Sequence, residues 1–249
     1  MLIYSYSKIQ TFKTCPLKFK FRYIDRIEPE IKETIESFMG KIVHETLEKL
    51  YRNLQFKKLL SKSELIELYN YLWNEKFDDS ILVVNGSADD YKDIGEKYIS
   101  DYYDSHMPFD DAKTIGLETK RYVELQPGYK MHIRIDRLSL TEDKQYEIHD
   151  YKTSKRLPNN ISDDKQLVLY AYGVSELYPL ADNIKLIWHY LAFNKDLILQ
   201  PTKEELENIR KESISDIDII ESCQDFQPRK SKLCNWCEYQ NICPLFSNF

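Results

Sequence analysis

Glu147-Ile148-His149-Asp150-Tyr151-Lys152 decides the reading of this chain. Residues 145–153 are rich in β-branched and aromatic side chains, so the segment reads as a strand, and Asp150 and Lys152, two apart, point to the same face. A carboxylate and an ammonium therefore share one site. Upstream, 129–140 reads as a second strand on which Asp136 shares a face with Arg134 and His132, while Met131, Ile133 and Ile135 line the other. Two acids on neighbouring strands can grip a divalent cation, and a nearby lysine can act on an attacking water. Asp-x-Lys alone is a weak signal, because such triplets commonly form an ordinary solvated strand face.

Around this centre the chain reads as helices, three strands, a helix, two strands, a helix and a cysteine-rich tail. Residues 7–14 look helical, and Pro16 suits the start of a second short helix, which leaves Cys15 at the break. From Glu33 to Asn53, Ile35, Phe38, Met39, Ile42, Val43, Leu47 and Leu50 recur at helical spacing, with His44 off the centre of the stripe. Capping boxes Ser61-x-x-Glu64 and Thr202-x-x-Glu205 open two further helices, and another covers about 89–103. Residues 114–125, 129–140 and 145–153, separated by Gln126-Pro127-Gly128 and Thr141-Glu142-Asp143, read as an antiparallel meander. A helix over about 162–177, strands at 184–193 and 197–200, and the Thr202 helix complete the pattern. The expectation is one α/β domain over 1–249, with a helical subregion at about 55–110 and a tail at about 226–249 that works together with Cys15.

Composition sets limits on function. The 249 residues are 42% hydrophobic with 6 Gly and 9 Pro, as in a globular chain, and no signal-peptide core or long apolar run appears, so the expected compartment is cytoplasmic. A net charge of -6 argues against a polyanion partner in general. Residues 1–24 reverse this locally: Lys8, Lys13, Lys18, Lys20 and Arg22 interleave with Tyr4, Tyr6, Phe12, Phe19, Phe21 and Tyr23, with no acid among them. That mixture suits single-stranded nucleic acid, and equally suits an amphipathic segment that buries its rings. Five cysteines are too many to leave unexplained in a reducing compartment. Cys234-x2-Cys237-x5-Cys243 supplies three thiolates, Cys15 is the natural fourth, and Cys223 is spare. Four cysteines hold zinc or an iron-sulfur cluster, and spacing alone does not separate the two.

Taken together, SYSKIQTFKTCPLKFKFRY, GKIVHETLEKLY, RIDRL, DYKTSK and a helix bearing Gln166-x-x-x-Tyr170 resemble the RecB-like branch of the PD-(D/E)XK nucleases along nearly the whole chain. The resemblance implies a restriction-endonuclease-like core, a mixed central sheet flanked by helices. It implies that His44, Asp136, Asp150 and the Tyr151 carbonyl hold Mg²⁺ or Mn²⁺, that Lys152 is the catalytic lysine, and that Gln166 and Tyr170 position DNA. Relatives carry a glycine shortly before the acid matched by Asp136, where this chain has His132, Ile133, Arg134 and Ile135. Members that include the CRISPR-associated adaptation nucleases and the AddB nuclease domain hold a 4Fe-4S cluster with one N-terminal and three C-terminal cysteines, which implies the same for Cys15, Cys234, Cys237 and Cys243, with zinc the alternative. The implied activity is a DNA exonuclease that prefers single-stranded ends, in CRISPR spacer acquisition with adaptation proteins, or in recombination and repair beside a helicase. A phage or plasmid nuclease without a CRISPR partner, or a non-catalytic nucleic-acid-binding scaffold, are the competing readings. No Gly-rich phosphate loop ending in GKS or GKT occurs, so the chain has no helicase motor of its own.

Overall fold

The computed structural model describes residues 2–29, 33–78, 80–178, 181 and 183–246. In chain order it contains β1 (Leu2–Ser5), α1 (Tyr6–Thr14), α2 (Pro16–Phe19), β2 (Glu33–Thr34), α3 (Ile35–Gln55), α4 (Lys62–Lys76), β3 (Ile81–Leu82), α5 (Ala88–His106), β4 (Lys113–Gln126), β5 (Tyr129–Leu140), β6 (Tyr146–Lys152), α6 (Lys165–Leu177), β7 (Ile184–Tyr190), β8 (Lys195–Leu199) and α7 (Lys203–Ser222). The chain divides into two compact units, one of residues 1–32, 122–132 and 210–249, the other of 33–121 and 133–209. Among the described residues no helix is long and apolar enough to cross a membrane.

The larger unit is a mixed sheet with a helical layer. In it β5 pairs antiparallel with β6, β6 parallel with β7, and β7 antiparallel with β8, while β4 pairs with β5. Because α6 carries the crossover from β6 to the parallel β7, β6 is a central strand, and Glu147 to Tyr151 are all buried. The apolar stripe expected on α3 is realised: Ile35, Phe38, Met39, Ile42, Val43, Leu47 and Leu50 are buried among Leu65, Tyr69, Leu72 and Trp73 of α4 and Tyr98, Ile99, Tyr102 and Tyr103 of α5. Ser61 and Glu64 form the expected capping box on α4, and Ser87 with Asp90 forms another on α5. Thr202 and Glu205 likewise exchange bonds at the start of α7. The strand expected over 184–193 is shorter. Leu191–Phe193 is a 3₁₀ turn closed by Asn194 in a left-handed conformation, which folds β8 back onto β7.

In the smaller unit β1, absent from the sequence reading, lies parallel to the first residues of β5, Tyr4 opposite Met131 and Ser5 opposite His132. A four-residue strand followed at once by a helix offers too little periodicity to be recognised. The N-terminal aromatics turn inward: Phe12, Phe19 and Phe226 pack ring to ring, and Phe19 also meets Tyr23. Lys8 lies over the Tyr4 ring at 4.1 Å. Lys13, Lys18 and Lys20 pair with Asp216, Glu238 and Asp25, each at 2.6 Å. Much of this segment is thus the amphipathic packing element that the sequence offered as one of two readings.

Candidate active site

Within the larger unit, β5, β6, α3 and α6 converge on an open cleft of about 690 Å³ whose lining includes His44, Glu118, Arg134, Asp136, Asp150, Tyr151, Lys152, Gln166 and Tyr170. All seven residues that the sequence singled out for catalysis or the metal are therefore gathered in one place. Pleating does the placing on β6: Asp150 and Lys152 share a face, and the Lys152 ammonium is 2.7 Å from Asp150 Oδ2. Asp136 comes from β5, where its Oδ2 accepts a hydrogen bond from the Tyr151 N–H at 3.1 Å and lies 3.3 Å from His44 Nδ1. The other ring nitrogen of His44, Nε2, donates to the Tyr151 carbonyl at 2.6 Å. Gly40, one turn before His44 on α3, faces the chain beyond β6. A Cβ at Gly40 would come within 3.1 Å of Thr153 Oγ1, so the glycine permits the close approach of helix and strand end.

The charges are interdependent. Burial works against a protonated His44, but the Asp136 carboxylate beside it prevails and lifts the imidazole to about 9. Reciprocally, Asp136 stays below the ordinary carboxylate range because the His44 cation overcomes the effect of burial. Asp150 behaves in the opposite way: burial, with Asp136 adding to it, pushes its carboxyl up to about 6 despite Lys152. Its Oδ2 is buried and meets the Lys152 ammonium at 2.7 Å. Lys152 itself is destabilised as a cation by burial, yet Asp150 and Asp164 more than compensate and raise its pKa.

On α6, Gln166 Nε2 donates to the Tyr170 hydroxyl at 2.9 Å, and Lys152 Nζ reaches Gln166 Oε1 at 3.5 Å. These two helix residues, four apart, form one polar edge of the cleft. Asp164, which the sequence reading passed over, holds this corner together. Its Oδ1 caps α6 by accepting the Gln166 N–H at 3.1 Å, and its Oδ2 accepts from the Trp188 indole at 2.9 Å and lies 3.7 Å from Lys152.

Glu118 is the second omission. With His44 and Asp136 it forms a group whose donor atoms lie within 4.8 Å of one another, a spacing suited to a metal ion. It hydrogen-bonds the Arg134 guanidinium and has a backbone φ of 46°, unusual for a non-glycine residue inside a strand. Gly116, two residues earlier in an otherwise β-like stretch, was the signal available in the sequence, since an interior strand glycine marks a local break. The expected row on β5 is also found in part: Arg134 and Asp136 line the cleft, whereas His132 belongs to the smaller unit and its ring meets Tyr122 at 5.1 Å. Ile133 and Ile135 are core residues of an unbroken strand, so no glycine is needed before Asp136.

In the smaller unit all five cysteines are free thiols. Cys15 lies between α1 and α2, where its Sγ accepts the Arg229 N–H at 3.4 Å, and Cys234 Sγ accepts the Ser231 N–H at the same distance. Burial pushes the Cys237 thiol up, to which the nearby Cys15 sulfur contributes. Cys223 lies beyond α7 and donates to the Asp225 carbonyl at 3.5 Å. Among the described residues no three cysteine sulfurs come within 4.8 Å of one another.

Two acids and a lysine on adjacent strands of a mixed α/β sheet, with a histidine from a helix, thus face one cleft. The family model of the PD-(D/E)XK nuclease superfamily matches residues 3–244, and the chain belongs to that superfamily. Among solved structures, a protein from Eubacterium rectale described as "Putative exonuclease" is similar at a TM-score of 0.55 and 13% identity, over 94% of this chain and 86% of its own. Another, SSO0001, shares 13% identity at a TM-score of 0.43, over 99% of this chain and 87% of its own. At 13% identity the likeness to the Eubacterium rectale structure is one of fold. No curated protein matches the sequence.

Proposed function

We propose that the protein is a metal-dependent DNA exonuclease whose catalytic centre is His44, Asp136, Asp150, Tyr151 and Lys152. The observation that carries this reading is the placement of the Lys152 ammonium 2.7 Å from Asp150 on one strand, beside the Asp136–His44 pair from two other elements. The donor set suits a divalent cation: the carboxylates of Asp136 and, as an addition to the expected set, Glu118 stand with an imidazole nitrogen of His44 within 4.8 Å of one another, and the Asp150 carboxylate lines the same cleft, while the Tyr151 carbonyl, expected as a ligand, instead anchors His44 Nε2. Asp150 Oδ2, buried and met by the Lys152 ammonium at 2.7 Å, keeps a further lone pair for a cation. Mg²⁺ or Mn²⁺ bound here supplies Lewis-acid polarisation of the scissile phosphate and makes a bound water more acidic.

The side chains account for the rest. Tyr151 and Asp136 fix the histidine: Nε2–H stays on the Tyr151 carbonyl, so Nδ1 is the nitrogen that faces the metal position. With its pKa raised, Lys152 remains an ammonium and acts as a donor that orients the attacking water and offsets charge on the phosphate oxygens. Gln166 and Tyr170 present amide and hydroxyl groups to the DNA backbone. Both units serve one nuclease domain, in keeping with a family match that runs through each.

Three finer elements belong to the same proposal. Exonuclease action accords with the description given to the Eubacterium rectale neighbour, and a preference for single-stranded ends draws on the aromatic and basic side chains of residues 1–24, three of whose lysines a phosphate would have to recruit from carboxylates. Cys15, Cys234, Cys237 and Cys243 hold a 4Fe-4S cluster. Backbone N–H groups on two of the sulfurs suit thiolate ligands, and zinc is the alternative occupant of the same four cysteines. The cytoplasmic setting of CRISPR spacer acquisition, or of recombination and repair, is what the sequence resemblance implies. The test is digestion of end-labelled single- and double-stranded DNA with and without Mn²⁺. Lys152→Ala should lose at least about a hundredfold in rate with the fold retained, and near-normal cleavage by that variant overturns the assignment.

A further inference from the structure

Away from the cleft, the larger unit holds a second concentration of chemistry that the nuclease reading does not use. His106 at the end of α5, His189 on β7 and Asp196 on β8 place one donor atom each within 4.8 Å of the others. They line a cavity of about 210 Å³ together with His149 and Arg137. His189 and His149 are almost fully buried, and so is Arg137.

The hydrogen-bond partners fix where the protons must be. A guanidinium can only donate, and Arg137 approaches His149 Nδ1 at 2.8 Å, so that nitrogen is an acceptor. The His149 proton is therefore on Nε2, which faces the Ser139 hydroxyl at 2.8 Å, and Ser139 in turn donates to Glu147. His189 Nε2 lies 3.0 Å from the same accepting His149 Nδ1 and must carry a proton to approach it. That leaves His189 Nδ1, in the neutral ring, with a bare lone pair 2.6 Å from Asp196 Oδ1. His106 repeats the pattern: Nδ1–H donates to the Tyr102 carbonyl at 3.0 Å, and in the neutral ring Nε2 turns a lone pair to Asp196 Oδ2 at 3.2 Å.

With both rings neutral, two lone pairs converge on one carboxylate, and a cation between them makes the arrangement attractive. A second proton on His189 is opposed by burial, which outweighs the pull of Asp196 and is reinforced by Arg137, so that its pKa is held down to about 4. A metal ion meets both histidines at once. We propose that His106 Nε2, His189 Nδ1 and Asp196 bind a divalent transition metal of zinc type, with a further coordination position open to the cavity. Two imidazoles and one carboxylate are a zinc-type donor set, and each histidine has its second nitrogen anchored, on a backbone carbonyl for His106 and on His149 for His189. Asp196, Glu147 and Asp111, all at the cavity wall, balance the nearby Arg137 and Lys185. The site braces the nuclease strand from behind: the Tyr151 ring stacks on His189 at 5.2 Å, and the Tyr102 ring on His106 at 4.0 Å.

The readout is ¹⁵N NMR of the five histidine side chains in the full chain carrying Asp150→Asn, which weakens competing uptake in the cleft, titrated with Zn²⁺ after chelation. One equivalent should move His189 Nδ1 and His106 Nε2 to metal-bound shifts and raise the thermal midpoint. Adding Asp196→Asn or, should that variant not fold, His106→Gln at the cavity rim should abolish the His189 response. Two attached protons on His189 at neutral pH, with a spectrum that Zn²⁺ leaves unchanged, would falsify the site, whatever the protein does to DNA. Cleavage that fails in the protein with Asp150 intact, while the two histidines of the Asp150→Asn chain still respond to Zn²⁺, counts against the nuclease proposal alone.

Discussion

Metal uptake in the cleft should expel a proton from His44, and the structure sets the size of the effect. In the metal-free protein His44 titrates at about 9 against an ordinary 6.5, since Asp136 outweighs burial. At about pH 7 the ring is therefore almost wholly protonated, and freeing Nδ1 for a metal costs about two pH units of proton affinity, or about 2.7 kcal/mol. Apparent Mn²⁺ affinity should accordingly rise about tenfold per pH unit between about 7 and 8.5. Below about 6 the slope should steepen as Asp150 also takes up a proton. The same shift has a stability consequence of definite sign. A raised imidazole pKa stabilises the fold fully below the unfolded value of 6.5 and loses that contribution as pH rises through 9, so the metal-free protein should lose up to about 3 kcal/mol across this window. Titration calorimetry in two buffers of different ionisation enthalpy counts the protons directly. About one should leave per Mn²⁺ near pH 7, and none from this group in His44→Ala. An affinity independent of pH from 7 to 8.5, with heats that do not depend on the buffer, refutes the placement of His44 at the metal.

Cys15→Ser should bleach the anaerobically purified protein and remove stability on the order of 5 kcal/mol, because the clip would close a loop of more than two hundred residues, whereas Cys223→Ser should change neither; identical behaviour of the two variants removes the ligand assignment, and stoichiometric zinc without iron removes the cluster. Gly95→Ala should destabilise by about 1–3 kcal/mol in chemical denaturation, since its Cβ would stand 2.1 Å from the buried Tyr69 hydroxyl; a variant as stable as the parent shows that α4 and α5 are less tightly apposed than described. Single-stranded DNA should bind more tightly than duplex in filter or polarisation assays, with affinity that falls steeply with salt; equal affinities with a flat salt response remove the preference.

What the sequence discloses about this fold depends on how local the signal is. The α3 stripe, the Ser61 and Thr202 caps and the β4–β6 region announce themselves within windows of ten to twenty residues, and the structure contains each of them. Asp150 and Lys152 were legible for the same reason, because two-residue pleating alone puts them on one face. Long-range order is another matter. Strand β1 exists through pairing with Tyr129–His132, more than a hundred residues away, and nothing in Leu2–Ser5 shows it. His106, His189 and Asp196 are unremarkable in sequence, each on a different element, and only the β7–β8 register that sets His189 opposite Asp196 brings two of them together.

Glu118 marks the boundary between these cases. Its carboxylate belongs to the same group as His44 and Asp136, yet its position depends on a left-handed backbone that no side-chain pattern encodes. Had β4 continued with regular pleating, alternation would have carried the side chain through a predictable pair of faces. The left-handed backbone at Glu118 removes that rule, and Arg134 from β5 then holds the carboxylate where the strand's own geometry does not. A residue placed by a backbone irregularity and a cross-strand ion pair is thus invisible to periodicity even when it stands beside the most legible residues of the chain. An interior strand glycine close to a cluster of acids is therefore the place where a reading by alternation should be abandoned first.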